Sequence, residues 1–259
     1  MRQLRAYIIV ALALLSVISL AVSPAVAESK SLQWARLDTD ITVLPNGDLQ
    51  IVETNVIDFT SGSFTFGYRD INTARLTDIL NIQASEQGRP LRVETSRPDT
   101  DVFRIKYYFT TARNQERTFE LSYTIKGATR YYPGGDQVYW VAVYADRNGY
   151  SVQNSRVTVK MPAGGTATQA ATYGARATVT GSGESVVTAV AQDPIDSGQE
   201  MEIRVQFPHG IISGQAPSWQ AQFDQQRAYD EQTKPLIDSF VLLISLIIFA
   251  GGPALAVVL

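Results

Sequence analysis

The chain has no cysteine and a single histidine among 259 residues. The first absence removes disulfides, thiolate nucleophiles and cysteine-ligated metal. A domain without disulfides must hold itself together by its core, and residues 28–210, about 180 of them, can bury roughly 70% of the unfolded chain's surface. That length suffices. The second absence leaves His209 alone, and neither a serine–histidine pair nor a metal set assembles around it, so it is expected as a surface turn residue in Phe207-Pro208-His209-Gly210. G-x-S-x-G, a P-loop and H-E-x-x-H are missing too. No catalytic, cofactor-binding or metal residue is therefore assigned, and no cofactor is expected. Asp38-Thr39-Asp40 and Asp99-Thr100-Asp101 begin like calcium loops but lack the third ligand, the glycine and the distal glutamate. They read as loop carboxylates.

Positive charge is scarce. The net charge is −3, and residues 1–27 hold Arg2 and Arg5 with no acid, so the remainder is more acidic still. Without lysines and arginines gathered on one face, nucleic acid is excluded as a partner.

What the chain does have is a long apolar end. Ser239 to Leu259 carry no charge, and as a helix they reach about 31 Å, close to the hydrocarbon thickness of a bilayer. Residues 236–259 are expected to cross a membrane once, with the lipid bilayer as partner. At the other end, Arg2 and Arg5 precede an apolar run and the triplet Ala25-Val26-Ala27, the layout of a cleaved signal peptide over residues 1–27. The intervening domain is then extracytoplasmic.

Between these ends the apolar period is two. Phe119, Leu121, Tyr123 and Ile125 alternate with polar residues, as do Met201, Ile203, Val205 and Phe207. Val138 to Tyr144 is apolar on both faces, which fits a central strand. Turn residues punctuate the series at Pro45-Asn46-Gly47-Asp48, Pro133-Gly134-Gly135 and Asn148-Gly149. About eleven to thirteen strands with no helix between them predict an all-β fold, an antiparallel β-sandwich, over residues 28–210. Gly164 to Thr180 reads as an edge hairpin. Residues 211–235 follow as a polar juxtamembrane stalk, with a short helix at Ser218 to Lys234 as the other reading.

Leu44-Pro45-Asn46-Gly47-Asp48-Leu49, then Glu53, Gly67-Tyr68-Arg69-Asp70-Ile71, Trp140, Met161-Pro162 and Phe207-Pro208-His209-Gly210 stand in this order before the apolar end. In that order and spacing the chain resembles the bacterial predicted membrane protein family known as domain of unknown function 2207. The resemblance implies a signal peptide, an extracytoplasmic β domain and a membrane region. It transfers no functional residue, because the family has no established activity. The sequence departs from the family pattern, which continues with further helices and a Gly-rich tail, by stopping within or just after the first helix.

Two sets of side chains stand out. Glu53 and Arg69 lie in the resemblance motifs and are expected to meet at salt-bridge distance, with two solvated side chains as the equal alternative. The densest aromatic stretch runs through Tyr131, Tyr132, Tyr139, Trp140, Tyr144 and Tyr150. Trp140 and Tyr144 share a face and are assigned to the core. Tyr131, Tyr132 and Tyr139 are the binding candidates, the first two as an aromatic pair at a hairpin that presents a stacking surface. The overall expectation is a membrane-anchored binding or structural module of the cell envelope and not an enzyme, with a membrane or envelope protein, or a glycan, as partner. An envelope hydrolase with a carboxylate pair and a carbohydrate-binding module stay open as alternatives.

Overall fold

A computed structural model describes residues 29–233, in which fourteen strands are followed by a helix. The strands are β1 (Ser31–Val43), β2 (Leu49–Ser61), β3 (Phe64–Asn72), β4 (Asp78–Glu86), β5 (Arg89–Pro90), β6 (Arg92–Asp99) and β7 (Val102–Ala112). Then come β8 (Gln115–Lys126), β9 (Asp136–Val143), β10 (Arg156–Lys160), β11 (Gln169–Gly174), β12 (Ala177–Thr180), β13 (Val186–Ala191) and β14 (Met201–Phe207). Helix α1 covers residues 218–233. The fold is all-β with one short helix. The expected signal peptide and membrane span lie outside the described residues, among which no helix is long and apolar enough to cross a membrane.

Three sheets result. The largest has eight strands in the order β12-β13-β10-β1-β2-β8-β4-β5, and the others have three each, β11-β14-β9 and β3-β7-β6. Pairing is antiparallel except between β1 and β10, which run parallel from Thr39 opposite Val157 to Thr42 opposite Lys160. This corrects the expectation of an antiparallel fold throughout. The parallel pair arises because β10 returns over a long excursion through other sheets instead of a hairpin. A second correction concerns Gly164 to Thr180. Its two strands, β11 and β12, are edge strands of different sheets and form no hairpin with each other. Likewise, Asp38 and Asp40 lie within β1 rather than a loop, and Asp38 accepts the Arg156 amide at 2.9 Å.

The alternation read from the sequence sets which face is dry. Leu49, Ile51, Ile57 and Phe59 of β2 and Phe119, Leu121, Tyr123 and Ile125 of β8 all point into one core, with Val138 and Trp140 of β9 and Ile203, Val205 and Phe207 of β14. In β1 the bulge between Trp34 and Arg36 inserts one residue, so Trp34 and Leu37 both face inward despite their odd spacing. The small sheets meet the large one through aromatic rings. Phe109 stands 5.9 Å from Phe59 and 4.6 Å from Phe119, while Trp140 stands 6.4 Å from Tyr123. The β1–β2 turn is closed by the Gly47 amide donating to the Leu44 carbonyl at 2.9 Å. Gly47 has φ of +84°, and a Cβ there would lie 1.9 Å from the Tyr131 hydroxyl. Glycine is required on both counts.

Polar groups interrupt the dry stripe of β2 at Glu53 and Asn55. Asn55 is matched: its Oδ1 accepts the Trp34 indole N–H at 2.9 Å. Asn55→Ala leaves that buried donor unpaired and is expected to cost about 1–3 kcal/mol, whereas Asn55→Ala added to Trp34→Phe should cost less than the two single changes summed. Urea unfolding of the four proteins measures this.

Candidate functional site

Glu53 of β2 and Arg69 of β3 belong to different sheets, and both side chains are almost fully buried. Arg69 Nε donates to Glu53 Oε1 at 2.9 Å, and the Tyr123 hydroxyl donates to the same oxygen at 2.6 Å. The remaining nitrogens of Arg69 donate to the Asp70 carbonyl at 2.7 Å and the Val141 carbonyl at 3.2 Å. Its guanidinium lies 4.1 Å from the Tyr144 ring centroid. One side chain thus joins all three sheets: β3 carries it, β2 supplies its counter-ion, and β9 accepts its last donor. The expected ion pair is present and buried. Burial pulls the Arg69 ionisation down, but the Glu53 carboxylate more than offsets it, so Arg69 stays firmly charged.

Two cavities flank this pair, and Tyr144 borders both. The first is an aromatic cleft of about 300 Å³ whose walls include Trp34, Phe64, Phe66, Tyr107, Tyr144 and Tyr150. Tyr107 lies against the backbone of Gly67, where a Cβ would come within 2.5 Å of the ring. Glycine keeps that ring in place. The far wall is the loop 144–150, held by Arg147, whose buried guanidinium donates to the carbonyls of Tyr144, Tyr150, Ile195, Asp196 and Gln199. At the rim, Asn148 Nδ2 donates to the Tyr68 hydroxyl at 2.7 Å. The cleft is therefore preformed.

The second cavity, of about 370 Å³, lies on the other side of Arg69 and includes Arg75, Arg130, Tyr139, Trp140 and Trp219 in its lining. Helix α1 docks beside it. The Trp219 indole donates to the Gly127 carbonyl at 2.8 Å, and the Gln220 amide both accepts from the Tyr131 amide at 2.9 Å and donates to the Tyr131 carbonyl at 2.8 Å. Of the two readings of this segment, residues 218–233 take the helical one and pack against the strands.

The three tyrosine candidates fall around this helix. Tyr131 is half-buried, its hydroxyl wedged against Gly47 and Gly214. Tyr132 is also half-buried, and its hydroxyl donates to Asp224 of α1 at 2.7 Å. Tyr139 stacks on Tyr173 at 5.9 Å, lies 4.6 Å from the Arg130 guanidinium and donates to Glu202. Only Tyr139 lines the second cavity. Tyr131 and Tyr132 hold the helix. Trp140 is buried, and Tyr144, half-buried, stands edge-on to Trp34 at 6.5 Å. His209 sits at the end of β14 with its side chain about half exposed, and its Nδ1 is 2.8 Å from Asp136 Oδ1. Gly67, Arg130 and Arg147 as site residues were not found by sequence reasoning. An arginine beside turn residues, such as Arg147 between Asp146 and Asn148-Gly149, looks like a solvated charge.

An all-β domain with one short docked helix is the class these features define, and the comparison with protein families gives its family. Residues 34–207 match the predicted membrane protein (DUF2207) N-terminal domain, and the chain belongs to that family. No curated protein matches the chain. Among solved structures it is similar to an M1 zinc metallopeptidase variant from Deinococcus radiodurans, with 15% identity and a TM-score of 0.42 over 66% of this chain and 42% of that one. It is similar also to native leukotriene A4 hydrolase from Saccharomyces cerevisiae, with 11% identity and a TM-score of 0.48 over 68% of this chain and 29% of that one. The chain thus spans less than half the length of these enzymes. At such scores the likeness carries no argument about activity.

The buried phenols give the domain an alkaline limit. Burial foremost pushes Tyr107, Tyr123 and Tyr144 up, and Tyr131 and Tyr132 up to about 12 from an ordinary value of 10.0. The folded chain keeps protons that the unfolded chain sheds above 10, so stability is full below that pH and falls as pH rises towards 12 and beyond, by up to about 1.4 kcal/mol per pH unit for each of Tyr107, Tyr123 and Tyr144 and by less for the solvent-screened Tyr131 and Tyr132. Urea midpoints should be level just below pH 10 and drop above it. Phenolate absorbance of the folded protein should at the same time account for fewer than its 12 tyrosines.

Proposed function

We propose that this is a cell-envelope protein anchored by residues 236–259, whose β domain folds on the extracytoplasmic side once residues 1–27 are removed. In this reading the two small sheets cover the large one as the second layer of a sandwich. The domain serves as a ligand-binding module and not as an enzyme. The aromatic cleft is the observation that supports binding most. Pockets that take small molecules are preformed and mostly apolar with a few placed polar groups, and this one combines facing rings with the Asn148–Tyr68 hydrogen bond at its rim. Such walls suit the apolar face of a sugar ring, which makes an envelope glycan the first ligand to test. Of the three candidate tyrosines, Tyr139 is carried forward as a contact in the neighbouring cavity, and Tyr131 and Tyr132 as its support. A protein partner in the membrane would meet the domain through residues 211–235.

Intrinsic tryptophan fluorescence of the full chain in detergent, titrated with soluble cell-wall oligosaccharides, reads occupancy, because Trp34 lines the cleft. A saturable change is expected. Gly67→Ala forces Tyr107 out of place, should cost about 1–3 kcal/mol and should abolish the response. Phe66→Ser, at a rim residue 43% exposed, should leave the fold intact and weaken the response. No saturable response in the wild type, or an undiminished one in Phe66→Ser, would remove the glycan reading.

A further inference from the structure

Independent of the cleft, the second cavity is lined by three arginines and three carboxylates, yet holds a buried cation without a bonded acceptor. Arg130 is only 6% exposed, yet its Nε meets no acceptor among the described residues. No salt bridge is found there for Arg130 or Arg75. Instead Arg130 lies 4.6 Å from the Tyr139 ring centroid and 4.5 Å from that of Phe223, and Arg75 lies 5.2 Å from the same Phe223 ring. Two guanidinium groups therefore converge on one face of α1. Their mutual repulsion shows: burial first, and the Arg75 charge among the lesser causes, lower the Arg130 ionisation. A second buried donor on the cavity wall, Trp140 Nε1, also has no acceptor among the described residues.

The carboxylates of the lining do not resolve this. Asp70 is held by two hydrogen bonds from Arg104, at 2.7 and 2.6 Å. Glu202 accepts the Tyr139 hydroxyl, and Glu200 also borders the cavity without an ion pair among the described residues. A buried guanidinium is costly to leave without acceptors, whereas charge-assisted bonds to an oxyanion are among the strongest a protein makes. Aromatic faces hold the guanidinium plane without occupying its N–H edge, which keeps the donors available.

We propose that the cavity between Arg69 and helix α1 binds a phosphate-type oxyanion, with Arg130 and Arg75 as its cationic contacts. Free phosphate and the phosphate of a lipid headgroup share this chemistry. Aromatic packing of Arg130 against Phe223 then couples occupancy to the docking of α1.

The test uses the full chain in detergent and reads Trp fluorescence and thermal stability. Inorganic phosphate is compared with sodium chloride at equal ionic strength. Phosphate should give a saturable shift that chloride does not. Arg75→Gln, at an exposed position that leaves the core untouched, should weaken it roughly tenfold, the loss of one charge-assisted contact. Lys160→Gln, an exposed cation on β10, should leave it unchanged. Glycerol 3-phosphate run in parallel separates the sources: tighter binding than inorganic phosphate assigns the site to a headgroup, and equal or weaker binding to the free anion. No response beyond chloride to either probe, or equal losses in Arg75→Gln and Lys160→Gln, would overturn the proposal. Neither outcome bears on the glycan titration, which reads the other cavity.

Discussion

The fold depends on one buried ion pair. Three sheets that share no strand must be held in register, and apolar packing alone is tolerant of sliding, since one ring substitutes for another at small cost. The Glu53–Arg69 pair is not tolerant. Its four hydrogen bonds, counting the one from Tyr123, reach β2, β3, β8 and β9 at once, and the two that cross between sheets, from Arg69 to Glu53 and to the Val141 carbonyl, would be left unsatisfied by a small displacement of either partner sheet. Burial makes the pair expensive as well as specific, so its value lies in geometry more than in net stability.

The two cavities follow from that geometry. Arg69 and Tyr68 are neighbours on β3 and point to opposite sides, so one borders the polar cavity and the other the aromatic cleft. Tyr144, against which Arg69 stacks, is shared. On the cleft side Arg147 performs a similar service for a loop by gathering five carbonyls, and a loop held this way presents its aromatic residues without ordering cost when a ligand arrives. On the other side α1 borders the cavity with Trp219 and covers Arg130 with Phe223, and the tyrosines at 131 and 132 anchor that helix by main-chain and hydroxyl bonds.

Local pattern revealed the strands and hid their partners. Period-two alternation at Phe119–Ile125 and Met201–Phe207 fixes both secondary structure and facing, because a one-residue slip would turn every apolar side chain to water. Nothing local states that β10 lies parallel to β1, or that β11 and β12 part to separate sheets, since those pairings are set by distant chain. The Glu53–Arg69 pair was legible as an acid and a base in ordered motifs, and the inward slot that Glu53 takes between Ile51 and Ile57 explains why it must be paired. Arg130 was not legible. Its neighbours Thr129 and Tyr131 give no hint that helix α1, ninety residues later, supplies the ring that covers it. Gly67 likewise shows its meaning only when Tyr107 is found against it.

A double-mutant cycle on Glu53→Gln and Arg69→Met, followed by urea unfolding of the purified chain, tests the central claim directly. Each single change leaves an uncompensated or mismatched buried group and should cost roughly 3–5 kcal/mol, while the double variant should cost little more than either alone. Small and additive losses would contradict the account, because they would mean that the three sheets keep their arrangement without this pair.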